Sequence, residues 1–342
     1  MTSIATPVAA PVPDAIPKTR FDTLPLVLTA LLALAAWPLV GSSSTWLTLT
    51  VAGLAMGMII FIIASGLTLV FGLMDVLNFG NGVFIALGAF IATTVFGAMT
   101  DWTSSPSLLL NLAAVGVAML AAMALSAAIG WGFERVLVRP VYGQHLKQIL
   151  VTMGGLIIGE ELIKVVWGPA QIPLAPPEAL RGSFVYGNAT FEKLRLVAAA
   201  IGAVVLIAML FTLNRTKIGL LIRAGVQDRE MVESLGYRIR QLFVGVFVAG
   251  SALAGLGGCL WGMNQQIVVP QIGGQVNVLI FIVIIMGGLG STLGCFVGAL
   301  LVGLMTNYIG FLAPKLTMFS SIGLMVAILL WRPQGLYPVA NR

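Results

Sequence analysis

A chain of 342 residues with 59% hydrophobic and 9% charged residues and a mean hydropathy of +1.04 is not a soluble globule, whose charged fraction is nearer about a quarter. It is an integral membrane protein, long enough for roughly ten spans of about 20 residues with short connections. The net charge of +6 is the ordinary excess of cytoplasmic Lys and Arg, without the single-sign patch that a nucleic-acid binder needs.

In chain order, Met1 to Thr23 carries Pro7, Pro11, Pro13 and Pro17 among Ala and Val and reads as a disordered cytoplasmic arm. Lys18 and Arg20 before an apolar run resemble a signal peptide. The run lacks a small-x-small cleavage site, so it reads as a retained first span. Apolar runs then mark ten segments: Leu24–Val40, Trp46–Gly72, Val83–Met99, Leu108–Gly130, Ile149–Trp167, Arg195–Leu213, Leu242–Gly262, Gln275–Leu289, Gly294–Leu312 and Thr317–Trp331. The fold class is therefore all-α, a polytopic transmembrane bundle in one domain over 24–338, followed by a short tail over 339–342.

Charge tests this count. With the N-terminus inside, Lys18, Arg20, Arg135, Arg139, Lys147, the cations of residues 214–241, Arg332 and Arg342 share the cytoplasmic side, with both termini. Only Arg181, Lys193, Arg195 and Lys315 fall outside, and Lys164 lies in a span. The long outer loop from Gly168 to Leu194 holds Pro169, Pro173, Pro176 and Pro177, which disfavour helix and predict an extended lid that either closes the outer surface or meets an external partner. Glycines four apart, such as Gly53/Gly57, Gly155/Gly159 and Gly258/Gly262, predict close helix packing.

Two stretches inside the apolar runs resist helix. Asp75 to Gly82 places an acid, two amides and two glycines between hydrophobic segments, and Gly287 to Gly294 is rich in glycine. Non-helical backbone at membrane depth needs cover from protein or a water-filled cavity. One break per half fits broken helices beside a substrate path and an arrangement of inverted repeats; segment parity equally fits two cytoplasmic turns. The path residues on the first reading are Asn78, Phe79, Asn81 and Gly82, with Gly287, Gly288, Gly290 and Ser291 at the second break.

The long charged interruption, residues 214–241, holds six of the 18 Lys and Arg. Within it Asp228 to Gly236 predicts a short helix, capped by Asp228 and stopped by Gly236. About two turns of helix are marginal alone in water, so the helix needs a partner surface. Met231, Val232 and Leu235 are its candidate apolar contacts, with Asp228, Arg229, Glu230 and Glu233 as a polar rim.

Catalytic chemistry is missing. The only histidine, His145, lies in a basic loop, and no lysine completes a Gly-x-x-x-x-Gly-Lys phosphate loop. If ATP is used, another chain hydrolyses it. Cys259 and Cys295 lie in apolar runs as small hydrophobes. Glu160, Glu161 and Lys164 are charges in a span; Glu160 to Lys164 has the spacing of a helical ion pair, and the group is either functional or a neutralised pair near the outer interface.

Gly66-Leu-Thr-Leu-Val-Phe-Gly72, Asn78-Phe79, Gly82 and Gly88-Ala89 resemble the signature of the branched-chain amino-acid ABC transporter permease family. Glu134-Arg135 with Arg139-Pro140, the glycines from Gly287 to Gly303, and Arg332-Pro333-x-Gly335-Leu336 are similar to its later motifs. The likeness runs from about Gly53 to Pro338. Where family members often carry Ala-His-Gly-Glu after Asn-Phe, this chain has Gly80-Asn81-Gly82-Val83, without either titratable side chain; the first segment is an N-terminal addition to the commoner form. The resemblance implies an inner-membrane importer subunit working with a second related permease, two cytoplasmic ATPase subunits that bind ATP and Mg, and a periplasmic solute-binding protein. This chain itself would bind no cofactor. Besides membrane lipid, its ligands would be branched-chain amino acids or related solutes such as other amino acids, urea, amides or aromatic acids, with residues 214–241 as the coupling loop to the ATPase. The competing readings are an ion-coupled secondary carrier, which needs no ATPase, and a channel or scaffold subunit.

Overall fold

A computed structural model describes residues 24–227 and 229–337; the predicted N-terminal arm, Asp228 and the C-terminal tail lie outside the described residues. Along the chain, α1 (Leu24–Val40), α2 (Ser43–Met74), α3 (Asn81–Ala98), a single turn α4 (Thr100–Thr103), α5 (Leu108–Phe133) and α6 (His145–Trp167) come first. Then follow β1 (Ile172–Pro173), β2 (Ser183–Tyr186), β3 (Ala189–Glu192), α7 (Lys193–Arg215), α8 (Lys217–Gln227) and α9 (Arg229–Ser234). The last elements are α10 (Ile239–Gln265), β4 (Ile267–Val268), α11 (Ile272–Gly287), α12 (Thr292–Leu312) and α13 (Thr317–Trp331).

Each predicted apolar segment is a helix, so the protein is a polytopic helical bundle. Seven of these helices among the described residues are long and apolar enough to cross a membrane: α2, α3, α5, α7, α10, α12 and α13, the last counted together with the short turn that leads into it from Pro314. Helices α1 and α11 are apolar but shorter, and α6 carries Lys147, Glu160, Glu161 and Lys164.

The bundle is built around α2 and α10, which are apolar on every face and therefore belong inside. Residues Ile59 to Leu67 of α2 are all essentially inaccessible, as are Ala254 and Cys259 to Leu260 of α10. Helices α3, α5, α7 and α12 pack around this pair; α1, α6 and α13 lie at the rim. Their outward faces are bare apolar surface, with Phe211, Met318 and Leu330 between 62% and 86% exposed, as lipid-facing side chains are.

Glycine sets how close the central helices come. A side chain at Gly66 would strike the Gly250 backbone, one at Gly88 the Gly255 backbone, and Gly53 and Gly57 seat the backbone of α12 around Leu300 to Leu304. The four-residue glycine spacing thus serves packing inside this chain.

Local signals fix the helix ends. Ser42 Oγ accepts the Thr45 N–H at 3.2 Å to start α2, and Asp75 in the left-handed conformation (φ 54°) ends it. The N-terminal helix α1 lies on α2 and α12, where the Trp46 indole donates to the Ala33 carbonyl at 2.7 Å.

The Pro-rich loop before α7 is extended, as its prolines require, and it closes over the end of the bundle opposite α8. There β1 pairs antiparallel with β4, and β2 with β3, while Leu174 and Leu180 are buried. Asn111 at the start of α5 holds the loop: its Nδ2 donates to the Ser105 and Ser107 carbonyls at 2.6 and 2.8 Å, and its Oδ1 accepts the Ala179 N–H at 3.2 Å.

Candidate functional site

The two predicted breaks are both turns between helices, but they occupy different places. After Asp75 the chain leaves α2 and turns back into the bundle. Val76 and Asn78 are at most 1% exposed, and α3 starts at Asn81, also 1% exposed. Buried backbone outside a helix must find partners elsewhere. Phe79 finds both of its own on other helices: its N–H donates to Thr152 Oγ1 of α6 at 3.2 Å, and its carbonyl accepts Asn277 Nδ2 of α11 at 2.8 Å. The Phe79 ring stacks on Phe281 with centroids 4.5 Å apart. Asn277 is ten residues before the end of α11, about 15 Å along the helix at 1.5 Å per residue.

Glycine permits this insertion. A side chain at Gly82 would meet the Gly273 backbone of α11, and one at Gly80 the Phe133 ring of α5. Four amide side chains are buried at or near this turn: Asn78, Asn81, Gln148 and Asn277 are all at most 4% exposed. Asn78 Oδ1, Asn81 Nδ2, Gln148 Oε1 and Asn277 Oδ1 have no hydrogen-bond partner. Sequence reasoning named Asn78, Phe79, Asn81 and Gly82. It missed Gln148, Thr152 and Asn277, whose only signal was a polar side chain at the start of, or within, an apolar run.

The second break is a turn at the end of the bundle. Gly288 (φ 103°) and Gly290 (φ 80°) take conformations closed to most side chains, and Ser291 Oγ caps α12 by accepting the Gly294 N–H at 3.1 Å. Gly290 lies against Gly72 near the end of α2. The segment after α13 seals the turn: the Leu336 and Tyr337 N–H groups donate to the Met286 and Gly287 carbonyls, both at 3.0 Å, and Leu336 is fully buried. Gly287, Gly288, Gly290 and Ser291 therefore cluster with the C-terminal segment, and α11 and the end of α2 both link them to the first break. Helices α2 and α11 reach their turns at the same end of the bundle, so an inverted relation between halves would not exchange the two breaks.

The charged interruption holds two helices where the sequence predicts one. Helix α8 follows α7 at once: Thr216 Oγ1 accepts the Gly219 N–H at 3.4 Å, and Gly219 lets α8 fold against Leu213. Its signal was that cap before an amphipathic run from Lys217. Helix α9 covers Arg229 to Ser234, and Gly236 (φ 87°) stops it as predicted. The Gly236 N–H donates to the Glu233 carbonyl at 3.0 Å and the Tyr237 N–H to the Val232 carbonyl at 3.4 Å, the paired bonds of a Schellman end.

One predicted contact is reversed. Val232 is 5% exposed and faces its own chain near Leu221, Ile239 and Leu242, while Met231 (62%) and Leu235 (67%) point outward. On a helix this short a one-residue step rotates the side chain by about 100°, so Val232 cannot share the face of Met231 and Leu235. Glu233 is exposed; Asp228 and the side chains of Arg229 and Glu230 lie outside what the structure describes.

The charges of α6 also find different partners. Lys164 pairs with Glu161, three residues away, and not with Glu160. The Glu160 carboxylate instead lies beside Gly274 in the first turn of α11, where a helix N-terminus favours an anion.

Residues 49–329 match the family described as the branched-chain amino acid transport system permease component. The chain is 28% identical to the high-affinity branched-chain amino acid transport system permease protein BraD of Pseudomonas aeruginosa, over 84% of this chain and 94% of that one. It is 25% identical to the corresponding permease protein LivH of Escherichia coli, over 83% and 92%, and 28% identical to the permease protein LivM of the same organism, over 92% and 75%. No solved structure matches it.

Proposed function

The chain belongs to the branched-chain amino acid transport permease family, and from that premise we propose that it is one permease of an ATP-driven importer for branched-chain amino acids or related small solutes. A second, related permease completes the pore; likeness to both LivH and LivM, two permease proteins of one organism, supports such a pair. Two cytoplasmic ATPases supply ATP and Mg chemistry, and a periplasmic binding protein delivers the solute. The protein sits in the inner membrane with both termini cytoplasmic. Arg135, Arg139, Lys147, Arg215, Lys217 and Arg332 gather at the α8–α9 end, which supports that end as the cytoplasmic one.

The observation that carries the coupling is the exposure of Met231 and Leu235 on α9. Met231 and Leu235 project together from a helix whose other face is anchored through Val232. An ATPase groove that takes this face moves α9, and α9 is joined through Tyr237 and Ile239 to the start of α10, and through α8 to the end of α7. Closure of the ATPases is thereby transmitted to the centre of the bundle. The test replaces Met231 and Leu235 together with Asp. ATPase co-purification and ATP-dependent uptake are both expected to fall at least to about a tenth, the loss of roughly 1.4 kcal/mol or more of docking energy. Unchanged assembly with unchanged uptake overturns the coupling role, and uptake in membranes lacking every ATPase overturns the importer reading itself.

A further inference from the structure

Two kinds of cavity open on the bundle. A groove of about 730 Å³ between α2, α7 and α10 is apolar, with only Thr212 and Gln241 as polar side chains on its walls. A smaller cavity of about 240 Å³ is lined by Arg139, Tyr142, Arg240 and Phe243, so two cations from distant parts of the chain meet on one space. The turn after α5 builds one wall. Helix α5 runs into a π-helical turn over Glu134–Val138 and then a 3-10 turn over Arg139–Val141, where Pro140 has no N–H to continue the helix. Glu134 is 2% exposed, and its Oε1 accepts the Tyr142 hydroxyl at 2.8 Å. That bond spends the Tyr142 hydrogen and leaves the ring as a fixed wall. The first turn of α10 builds the other. Arg240 and Phe243 are three residues apart and share a helix face, while Ile239, 1% exposed, anchors the turn to the protein.

We propose that Arg139 and Arg240 hold the phosphate of an anionic phospholipid. A guanidinium offers a planar fork of N–H donors that matches phosphate oxygens. Among the described residues the ion pairs join His145 to Asp75, Lys164 to Glu161 and Arg195 to Glu192, and none engages either arginine of the pocket. Two cations against one buried carboxylate, Glu134, which is not on the pocket wall, leave the space positive. The depth of the pocket points to lipid as the source of the phosphate. Arg139 directly follows the apolar Val136, Leu137 and Val138, and Arg240 comes two residues before the apolar run that opens at Leu242. On the stretch leading to Arg139, Trp131 is 51% and Val136 70% exposed, and the Arg135 guanidinium lies 5.5 Å from the centre of the Trp131 ring. Exposed tryptophan beside arginine marks the membrane–water interface, and basic pockets between helices at that level take lipid headgroups. A phosphate held there ties the α5–α6 connection to the first turn of α10, next to α9. The site needs a membrane and not ATP, so it goes beyond the importer reading and stands apart from it.

The experiment is equilibrium binding of tritiated dioleoylphosphatidylglycerol to the delipidated full chain in a nonionic detergent, with unlabelled dioleoylphosphatidylcholine and sodium phosphate as competitors. Phosphatidylglycerol is expected to bind roughly tenfold or more tightly than phosphatidylcholine, whose phosphate is neutralised by its own choline, and sodium phosphate is expected to compete only weakly. Arg139→Gln and Arg240→Gln are each expected to weaken it by about fivefold, the scale of one cation at a lipid surface. Lys315→Gln, at the opposite end of the bundle, removes the same charge and is expected to leave binding unchanged. Wild-type protein that binds the two lipids equally overturns the proposal even if neither arginine variant folds. Sodium phosphate that displaces the lipid at equal concentration assigns the pocket to a free anion and overturns the lipid. Folded arginine variants that bind phosphatidylglycerol like the wild type overturn it too, and if they also lose ATPase co-purification the pocket is a protein contact. Selective lipid binding by a chain that transports without ATPases keeps this site and loses the importer reading, and the converse result separates the two in the other direction.

Discussion

The two helix breaks carry similar sequence signals, glycine and small polar residues between apolar runs, yet they solve different problems. The first drives backbone into the interior and satisfies it with side chains from α6 and α11. The second stays at the end of the bundle and is closed by backbone, with the C-terminal segment pairing to Met286 and Gly287. The difference teaches that glycine alone does not mark depth. What marks it is whether polar side chains on other helices stand where the broken backbone needs them.

This contrast can be broken or sharpened by substitution. The largest effect is expected at Gly290→Val, which combines a left-handed φ of 80° with collision against Gly72; strain and overpacking together cost about 3 kcal/mol or more, read as loss of monodisperse protein on size exclusion. Truncation after Arg332 comes next. It removes the two backbone bonds to the end of α11 and the buried Leu336, for about 2–4 kcal/mol, and thermal unfolding in detergent measures it. Protease sensitivity is expected to rise near Gly288 and not near Phe79; the reverse pattern would mean that the breaks are not independent.

At the first break, Asn277→Leu leaves the Phe79 carbonyl buried without its donor, an expected loss of about 1–3 kcal/mol in the same unfolding assay. Thr152→Val removes the bond to the Phe79 N–H, for about 0.6 kcal/mol, the average found for hydrogen bonds inside membrane proteins. The double variant should cost less or more than the sum by at least about 0.5 kcal/mol, because both side chains hold one residue. Strict additivity would show that Phe79 is not clamped between them. Smallest of all, Met231→Asp lies on an exposed face and should change stability by no more than about 0.5 kcal/mol, while the coupling proposal expects it to weaken ATPase assembly.

Much of the scaffold was legible in the residues. The first and last apolar segments, Leu24–Val40 and Thr317–Trp331, are helices with those same bounds, because apolar length sets a spanning helix and polar or proline-bearing residues end it. Helix α2 runs past its predicted Trp46 to Gly72 at both ends, since the Ser42 cap and the left-handed Asp75 decide its length. Gly236 as a helix stop and the extended Pro-rich loop were equally local, and so equally readable. Helix α8 was missed because its Gly219 and Gly225 lower helix propensity, and the fold against α7 that gives them a purpose is tertiary.

The sequence by itself determined the class of molecule, the positions of its helices and the family motifs, because hydropathy, caps and glycine act over a few neighbouring residues. Only the tertiary structure decided which break enters the interior, which side chains of α9 are exposed, and which buried polar atoms lack a partner. Those depend on distant helices: Thr152 and Asn277 lie 73 and 198 residues from the Phe79 they hold, and no local pattern encodes the meeting.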